Sequence, residues 1–364
     1  MKVTAPIIGG PYAHETSSIS RLMLWVMLAL LPVTGYGLYL FGWPAIFLFT
    51  VTVITAVIAE AVSLWIGRRP IKPYLLDGSA ILTGWLLALT LPPWAPWWVG
   101  VVGSLLAIVI GKQVFGGLGQ NLFNPAMVAR VALLISFPLQ LTTFAAPHPL
   151  FATGSPGLMD SLQITFGHIP QVDGISSATL LGHIRTQLSQ GIDLSKALVN
   201  QPSLSKLLWG HTAGSMGETS ALLIIAGGLL LLARRIISWQ IPVAILATVA
   251  LLATIMHMVD PLRYPDAAYH LLSGSLMLGA FFVATDLVTS PVTGKGQLLY
   301  AIGCGLLIYV IRTWSGFPEG VAFAVLLMNA VTPLIDYYLK PRVYGRTRRG
   351  DPIQYADEAT SKES

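Results

Sequence analysis

The chain has 364 residues, of which 54% are hydrophobic and only 10% charged, with a mean hydropathy of +0.70. Soluble domains carry roughly 25% charged residues, so this composition excludes a soluble enzyme and specifies an integral membrane protein. The net charge of +5 comes from short basic clusters between apolar blocks, a pattern of membrane topology and not of nucleic-acid binding.

Residues 1–21 contain Pro6, Gly9, Gly10, Pro11 and Glu15 and no apolar core, which predicts a cytoplasmic lead-in and not a cleavable signal peptide. A spanning helix needs about 20 mainly apolar residues. Ten blocks approach that length: 22–41, 45–66, 78–93, 97–114, 122–140, 219–233, 240–258, 270–288, 297–313 and 319–339. Each is expected to be helical, because in lipid the backbone must satisfy its own polar groups. Trp94, Trp97 and Trp98, set among Pro92, Pro93 and Pro96, have the look of an interfacial aromatic belt. The predicted fold is therefore all-α and membrane-embedded, with residues 22–140 and 219–339 as two five-helix halves. Between them lies a polar loop, 141–218, and after them a basic tail, 340–364.

The halves resemble each other. Leu75-Leu76-Asp77-Gly78-Ser79 opens the third block and Leu271-Leu272-Ser273-Gly274-Ser275 the eighth. Five spans per half would insert the second half upside down, the inverted-repeat plan with which many transport folds build a midplane site. Gly116 to Ala126 is the most unusual apolar stretch. Its Asn124-Pro125-Ala126 is similar to the triplet that caps half-helices in water channels, whose second copy would fall at Met328-Asn329-Ala330. Asn124 suits the cap of a helix that Pro125 begins. Glu60 and Arg130 fall inside spans and Asp286 at the end of one. Charge there is tolerated mainly when paired or facing a wet cavity, so these three and Asn124 are candidates for ion coupling, with structural pairing as the alternative. Cys304 is the single cysteine and the seven histidines are scattered, so no disulfide, cysteine-held cluster or metal site is expected within the chain.

Basic residues set the orientation. With a cytoplasmic N-terminus, fifteen Lys and Arg fall on the cytoplasmic side and five on the outer side, which places both termini inside and the 141–218 loop outside. A loop of that length usually carries function. Near its middle runs Asp173-Gly174-Ile175-Ser176-Ser177-Ala178-Thr179-Leu180-Leu181. Small residues leave the Thr179 hydroxyl uncrowded and Asp173 supplies a carboxylate nearby, as esterification of that oxygen would require. A plain Ser/Thr-rich turn cornered on Asp173-Gly174 fits the same residues.

Three stretches carry a family resemblance: Gly111-Lys112-Gln113-Val114-Phe115-Gly116-Gly117 with Asn121 to Ala126, Ala284-Thr285-Asp286 with Thr289-Ser290-Pro291, and Asp173 to Leu181. Over nearly its whole length the chain resembles the D subunits of bacterial Rnf electron-transport complexes, relatives of the B subunit of the sodium-pumping NADH:quinone oxidoreductase. The short N-terminal lead-in favours the former over the latter. The resemblance implies FMN held on Thr179 by a phosphoester, with Asp173, Gly174, Ser177 and Ala178 as the attachment motif. It also implies a flavin transferase acting on the outer side of the bacterial inner membrane, a second, non-covalent riboflavin at unassigned residues, and partner subunits that relay electrons between ferredoxin and NAD(H) while Na⁺ or H⁺ crosses the lipid bilayer. Without that resemblance, a flavin-free inverted-repeat channel or transporter is the reading that remains.

The orientation has a direct test. In a Cys304→Ala background, a cysteine at Ser189 is expected to react with a membrane-impermeant thiol reagent in intact cells, and one at Ser361 to stay unlabelled. The opposite pattern would invert the topology.

Overall fold

The computed structural model describes residues 18–152, 154–167, 176–177, 180–190, 192–197, 203–317 and 319–341. Four helices among them are long and apolar enough to cross a membrane: Ile19–Ile66, Gln240–Val259, Gly294–Trp314 and Val321–Tyr338. Shorter apolar helices at Trp97–Gln113, Pro125–Ser136 and Ala221–Ala233 stand with them, and together they make a multi-pass helical membrane protein. The surface is apolar where lipid would lie: Leu251, Ile58 and Ile54 are more than half exposed, while Glu60 and Lys112 are each 1% exposed. That distribution reverses the one water imposes.

The first long helix covers the first two predicted spans. Its 48 residues are broken at Gly42, whose φ of 74° and ψ of −159° belong to no helix, and only glycine adopts that conformation cheaply. Three other predicted spans are not continuous helices. The block at 78–93 is helical only over Ser79–Thr90, ending before Pro92 and Pro93, which cannot donate to a helical ladder. The block at 122–140 starts at Pro125, capped by Asn124, and stops at Ser136 before Pro138. The block at 270–288 is split into Ala267–Leu272, Leu276–Leu278 and a π-helical turn at Gly279–Val283. A second π-turn, Leu106–Gln113, ends the helix that begins at Trp97. Wide turns of this kind are uncommon and collect at functional sites.

Close packing holds the halves together. Gly227 of the Ala221–Ala233 helix lies against the Ala29 carbonyl, where a β-carbon would overlap the oxygen, the small-residue contact by which helices approach in lipid. One hydrophobic core runs from Ala29 to Ile335 through both halves. Trp94 belongs to this interior and not to an aromatic belt. It is 7% exposed, donates to the Phe41 carbonyl at 3.1 Å and stacks on His148.

The described parts of the 141–218 loop carry helices at Leu158–Phe166, Leu180–Ser189 and Leu204–Trp209. Among the described residues it adds one departure from an all-helical reading, a two-residue antiparallel ladder pairing Phe144 with Ser177 and Ala145 with Ser176. Leu180, Ile184, Leu194 and Leu207 form a small separate core against Tyr269 and Leu272, so the loop is seated on the start of the eighth predicted block.

Candidate functional site

Asp173, Gly174, Ala178 and Thr179 lie outside the described residues, and of Ser177 the backbone pairing with Phe144 is described. The flanks of the motif are nevertheless fixed. On one side the Ser176–Ser177 ladder partners Phe144 and Ala145 are 1% and 5% exposed, and on the other Leu180 is 6% exposed. Both flanks are thus tied to buried structure.

Under the Leu180–Ser189 helix opens a cavity of about 640 Å³. Leu181 and Ile184 line it from that helix, Tyr264 and Trp314 supply aromatic surface, and His270 and Arg312 are its buried polar groups. Arg185, on the same helix, donates to the carbonyls of Ser315, Gly316 and Phe317, which pins the helix over the end of the Gly294–Trp314 span. Nothing in the sequence singled out this cavity, because its lining comes from segments up to 133 residues apart.

Within the membrane region the candidate groups fall into three separate settings. Glu60 forms an ion pair with Lys112 at 2.9 Å, both side chains 2% exposed. Lys112 also donates to Ser79 Oγ at 2.7 Å, and Gln113 donates to Glu60 at 2.7 Å. In the second half Arg312 pairs with Glu319 at 2.9 Å, Ser275 Oγ donates to the same carboxylate at 2.9 Å, and Arg312 Nη1 donates to the His270 carbonyl at 2.9 Å. Ser79 and Ser275 each follow a left-handed glycine, Gly78 at φ 80° and Gly274 at φ 68°. At Gly274 a β-carbon would overlap the Glu319 carboxylate. Lys112 and Arg312, counted in the sequence as loop charges, are therefore interior ion-pair partners. The signal that could have found them is an isolated cation at the end of an otherwise apolar run, a position where a charge needs a partner.

Asn124 and Asp286 do meet. The Asn124 side chain accepts from the backbone N–H groups of Ala126 and Met127 at 3.1 and 3.3 Å, capping its helix, and its amide donates to Asp286 Oδ2 at 3.4 Å. Asp286 also accepts from Thr289 Oγ1 and the Val288 N–H, each at 3.2 Å. With its carbonyl oxygen toward the Asn124 N–H at 3.1 Å, Asn329 donates to the Val325 carbonyl at 3.2 Å and the Tyr300 hydroxyl at 3.0 Å, the orientation that satisfies both of its ends. Asn329 thus lies inside the continuous Val321–Tyr338 helix. It caps no half-helix, so the paired-triplet plan of a water channel is not present here.

Arg130 stands apart from both. It is 5% exposed, and its Nη1 has no partner among the described residues. It lines a void of about 20 Å³ shared with Glu218, Ser275 and Glu319, a volume of the order one water needs. Among the described residues no group of three or more His, Cys, Asp or Glu is placed to hold a metal ion.

The NQR2, RnfD, RnfE family profile matches residues 7–345. A Stutzerimonas stutzeri protein, named as the D subunit of an ion-translocating oxidoreductase complex, is 57% identical over 337 residues, covering 93% of this chain and 95% of its own. Proteins of the same name from Halorhodospira halophila and Rhodobacter capsulatus are each 51% identical, the first over 95% of this chain and 97% of its own, the second over 84% of each.

The buried pair in the first half makes a stability prediction. Lys112→Met leaves the Glu60 carboxylate buried and uncompensated, which costs about 3–5 kcal/mol. The purified protein should melt at a clearly lower temperature. Adding Glu60→Leu to that variant should recover much of the loss, and equal melting of the single and double variants would remove the pair from the stability account.

Proposed function

The chain belongs to the NQR2, RnfD, RnfE family, and from that membership we propose that it is the flavin-carrying membrane subunit of an ion-translocating oxidoreductase complex. The observation that carries this reading is the Asp173–Leu181 motif in a chain so closely similar to proteins bearing that name. Thr179 holds FMN through a phosphoester made by a flavin transferase on the outer side of the inner membrane, and Asp173, Gly174, Ser177 and Ala178 form the site the transferase reads. The described flanks fit such a tether, since a group on Thr179 is held within a short reach of the packed outer loop at both Ser177 and Leu180. They also fit a polar ring system, because His270 and Arg312 turn buried polar atoms without partners among the described residues toward the adjacent cavity.

When bound, the flavin supplies two-electron uptake and one-electron release, while the protein sets its geometry and potential. The chain offers no dinucleotide-binding fingerprint and one cysteine, so the steps at NAD(H), ferredoxin and iron–sulfur clusters belong to partner subunits. This chain's part is to hold the relay at the outer face and to tie it to ion movement. The coupling reading rests on Asp286 beside Asn124, where two interrupted helices face each other, the arrangement by which transport folds bind ions. Arg130 lies beyond it on the same Pro125–Ser136 helix, while Glu60 is held by Lys112. The matching constellations at Gly78-Ser79 with Lys112 and Gly274-Ser275 with Arg312 support an inverted pair of five-helix repeats as the frame of that path.

Thr179→Ala is expected to abolish flavin fluorescence of the denatured chain on a gel while leaving its insertion unchanged. Full-strength fluorescence in this variant would sink the attachment. For coupling, Asp286→Asn assembled into complexes in vesicles should lower the membrane potential generated per electron at normal flavin content. An unchanged ratio would remove Asp286 from the ion path.

A further inference from the structure

We infer that the void among Arg130, Glu218 and Glu319 is the binding site of one ordered water molecule, which joins the Arg130 guanidinium to the two carboxylates and so ties the segment before the 141–218 loop to the segment after it. The site uses no residue of the Asp173–Leu181 motif and stands whether or not the proposed function does.

Arg130 supplies the need. It is 5% exposed on the Pro125–Ser136 helix, and its Nη1 has no hydrogen-bond partner among the described residues. A buried polar atom left in that state costs free energy that a direct bond or a water recovers. The ion pairs among the described residues are Glu60–Lys112 and Arg312–Glu319, so neither carboxylate of the void is close enough to pair with Arg130 directly. What separates them is a space of definite size. The void measures about 20 Å³, and roughly 10–15 Å³ admits one water.

The wall offers the partners such a water requires, ordinarily about three. Besides the three charged groups it carries Ser275 and Thr90. Both hydroxyls already donate elsewhere, Ser275 to Glu319 Oε2 at 2.9 Å and Thr90 to the Leu87 carbonyl at 2.7 Å, so toward the void they can only accept. Arg312 also donates to Oε2, at 2.9 Å, which leaves Glu319 Oε1 as an acceptor.

Charge selects the occupant. Arg130, Glu218 and Glu319 line the void and Arg312 pairs with Glu319, so two guanidinium groups face two carboxylates and the cluster is formally neutral. A sodium ion there would meet Arg130, and a chloride would meet two carboxylates. Either contact is strongly repulsive where water does not screen it. A water avoids both, because its oxygen accepts from Arg130 Nη1 while its hydrogens turn to the carboxylates. Arg130 belongs to residues 22–140, and Ser275 and Glu319 to residues 219–339. A water bonded to both sides holds the two segments at a point where Arg130 and the carboxylates do not meet directly.

The test is hydroxyl-radical footprinting of the full-length protein in lipid nanodiscs, in which X-rays split water where it is bound and oxidise methionines beside it. Met127 lines the void yet is only 2% exposed, while Met216, at 0%, borders no part of it and is the control. Met127 is expected to oxidise several-fold faster than Met216, and at the same rate in sodium chloride as in choline sulfate of equal ionic strength. Leu134→Phe and Leu278→Phe each push volume into the void from its wall, and either should bring Met127 down to the Met216 rate. Equal rates for the two methionines in the unsubstituted protein mean a dry void and overturn the inference with no substitution needed. A Met127 rate that climbs when sodium and chloride are withdrawn overturns it in favour of an ion. An undiminished rate in a folded, void-filled variant places the source of radicals elsewhere and overturns it as well.

Discussion

The structure turns on two buried cations. Lys112 and Arg312 sit inside the helical bundle, each paired with a carboxylate, and beside each pair a serine that follows a left-handed glycine bonds one member, Ser79 bonding Lys112 and Ser275 bonding Glu319. A charge without a partner in such a place would cost several kcal/mol, so each pair obliges its elements to stay together. Lys112 brings the end of the Trp97–Gln113 helix to Glu60 and to the start of the Ser79–Thr90 helix. Arg312 brings the end of the Gly294–Trp314 helix to Glu319, which in turn accepts from Ser275. Because both helices that begin at those serines are short, neither could be held across a bilayer by hydrophobic length alone. The ion pairs supply the registration that length does not.

This explains which parts of the fold were legible in the sequence. Composition and block length identify the membrane class, because those properties add up over many residues. Removing Lys112 and Arg312 from the count of basic residues leaves fourteen against four, so the expected orientation does not depend on them. What a hydropathy reading cannot see is where a helix stops inside an apolar block. Residues 78–93 and 270–288 are as apolar as their neighbours, and their breaks follow from prolines and from Gly274, whose role depends on a carboxylate 45 positions away. Trp94 illustrates the same limit, since an indole beside prolines reads as interfacial until Phe41 and His148 are seen to enclose it.

The site divides in a similar way. The proposed attachment motif is written in consecutive residues, so Asp173–Leu181 could be singled out from the chain alone. The settings of Glu60, Asp286 and Arg130 could not, because each is completed by residues 52 to 162 positions distant or by a void between elements. Equal prominence in the sequence gave way to three different roles. Glu60 is locked in a closed pair, Asp286 accepts hydrogen bonds at the meeting of two interrupted helices, and Arg130 faces a water-sized space. The cavity lies furthest from a sequence reading, drawn from the outer helix, the 260–265 turn and the end of a span.

Arg312 joins the cavity beneath the Leu180–Ser189 helix to the interior. The same guanidinium lines the cavity and pairs with Glu319, and Glu319 in turn lines the void that Arg130 and Glu218 share. Charge arriving in the cavity therefore acts on the interior carboxylates across one side chain and one 2.9 Å hydrogen bond. Bulk water would screen such an effect within a Debye length. Here the intervening residues are buried, and the effective dielectric is far below that of water. A negative charge in the cavity would compete directly with Glu319 for Arg312. Loosening that pair frees a carboxylate in contact with Ser275, at the start of the broken eighth block that ends in Asp286. The buried chain of contacts from the cavity into the interior is short: the Arg312 guanidinium, the Glu319 carboxylate and the Ser275 hydroxyl.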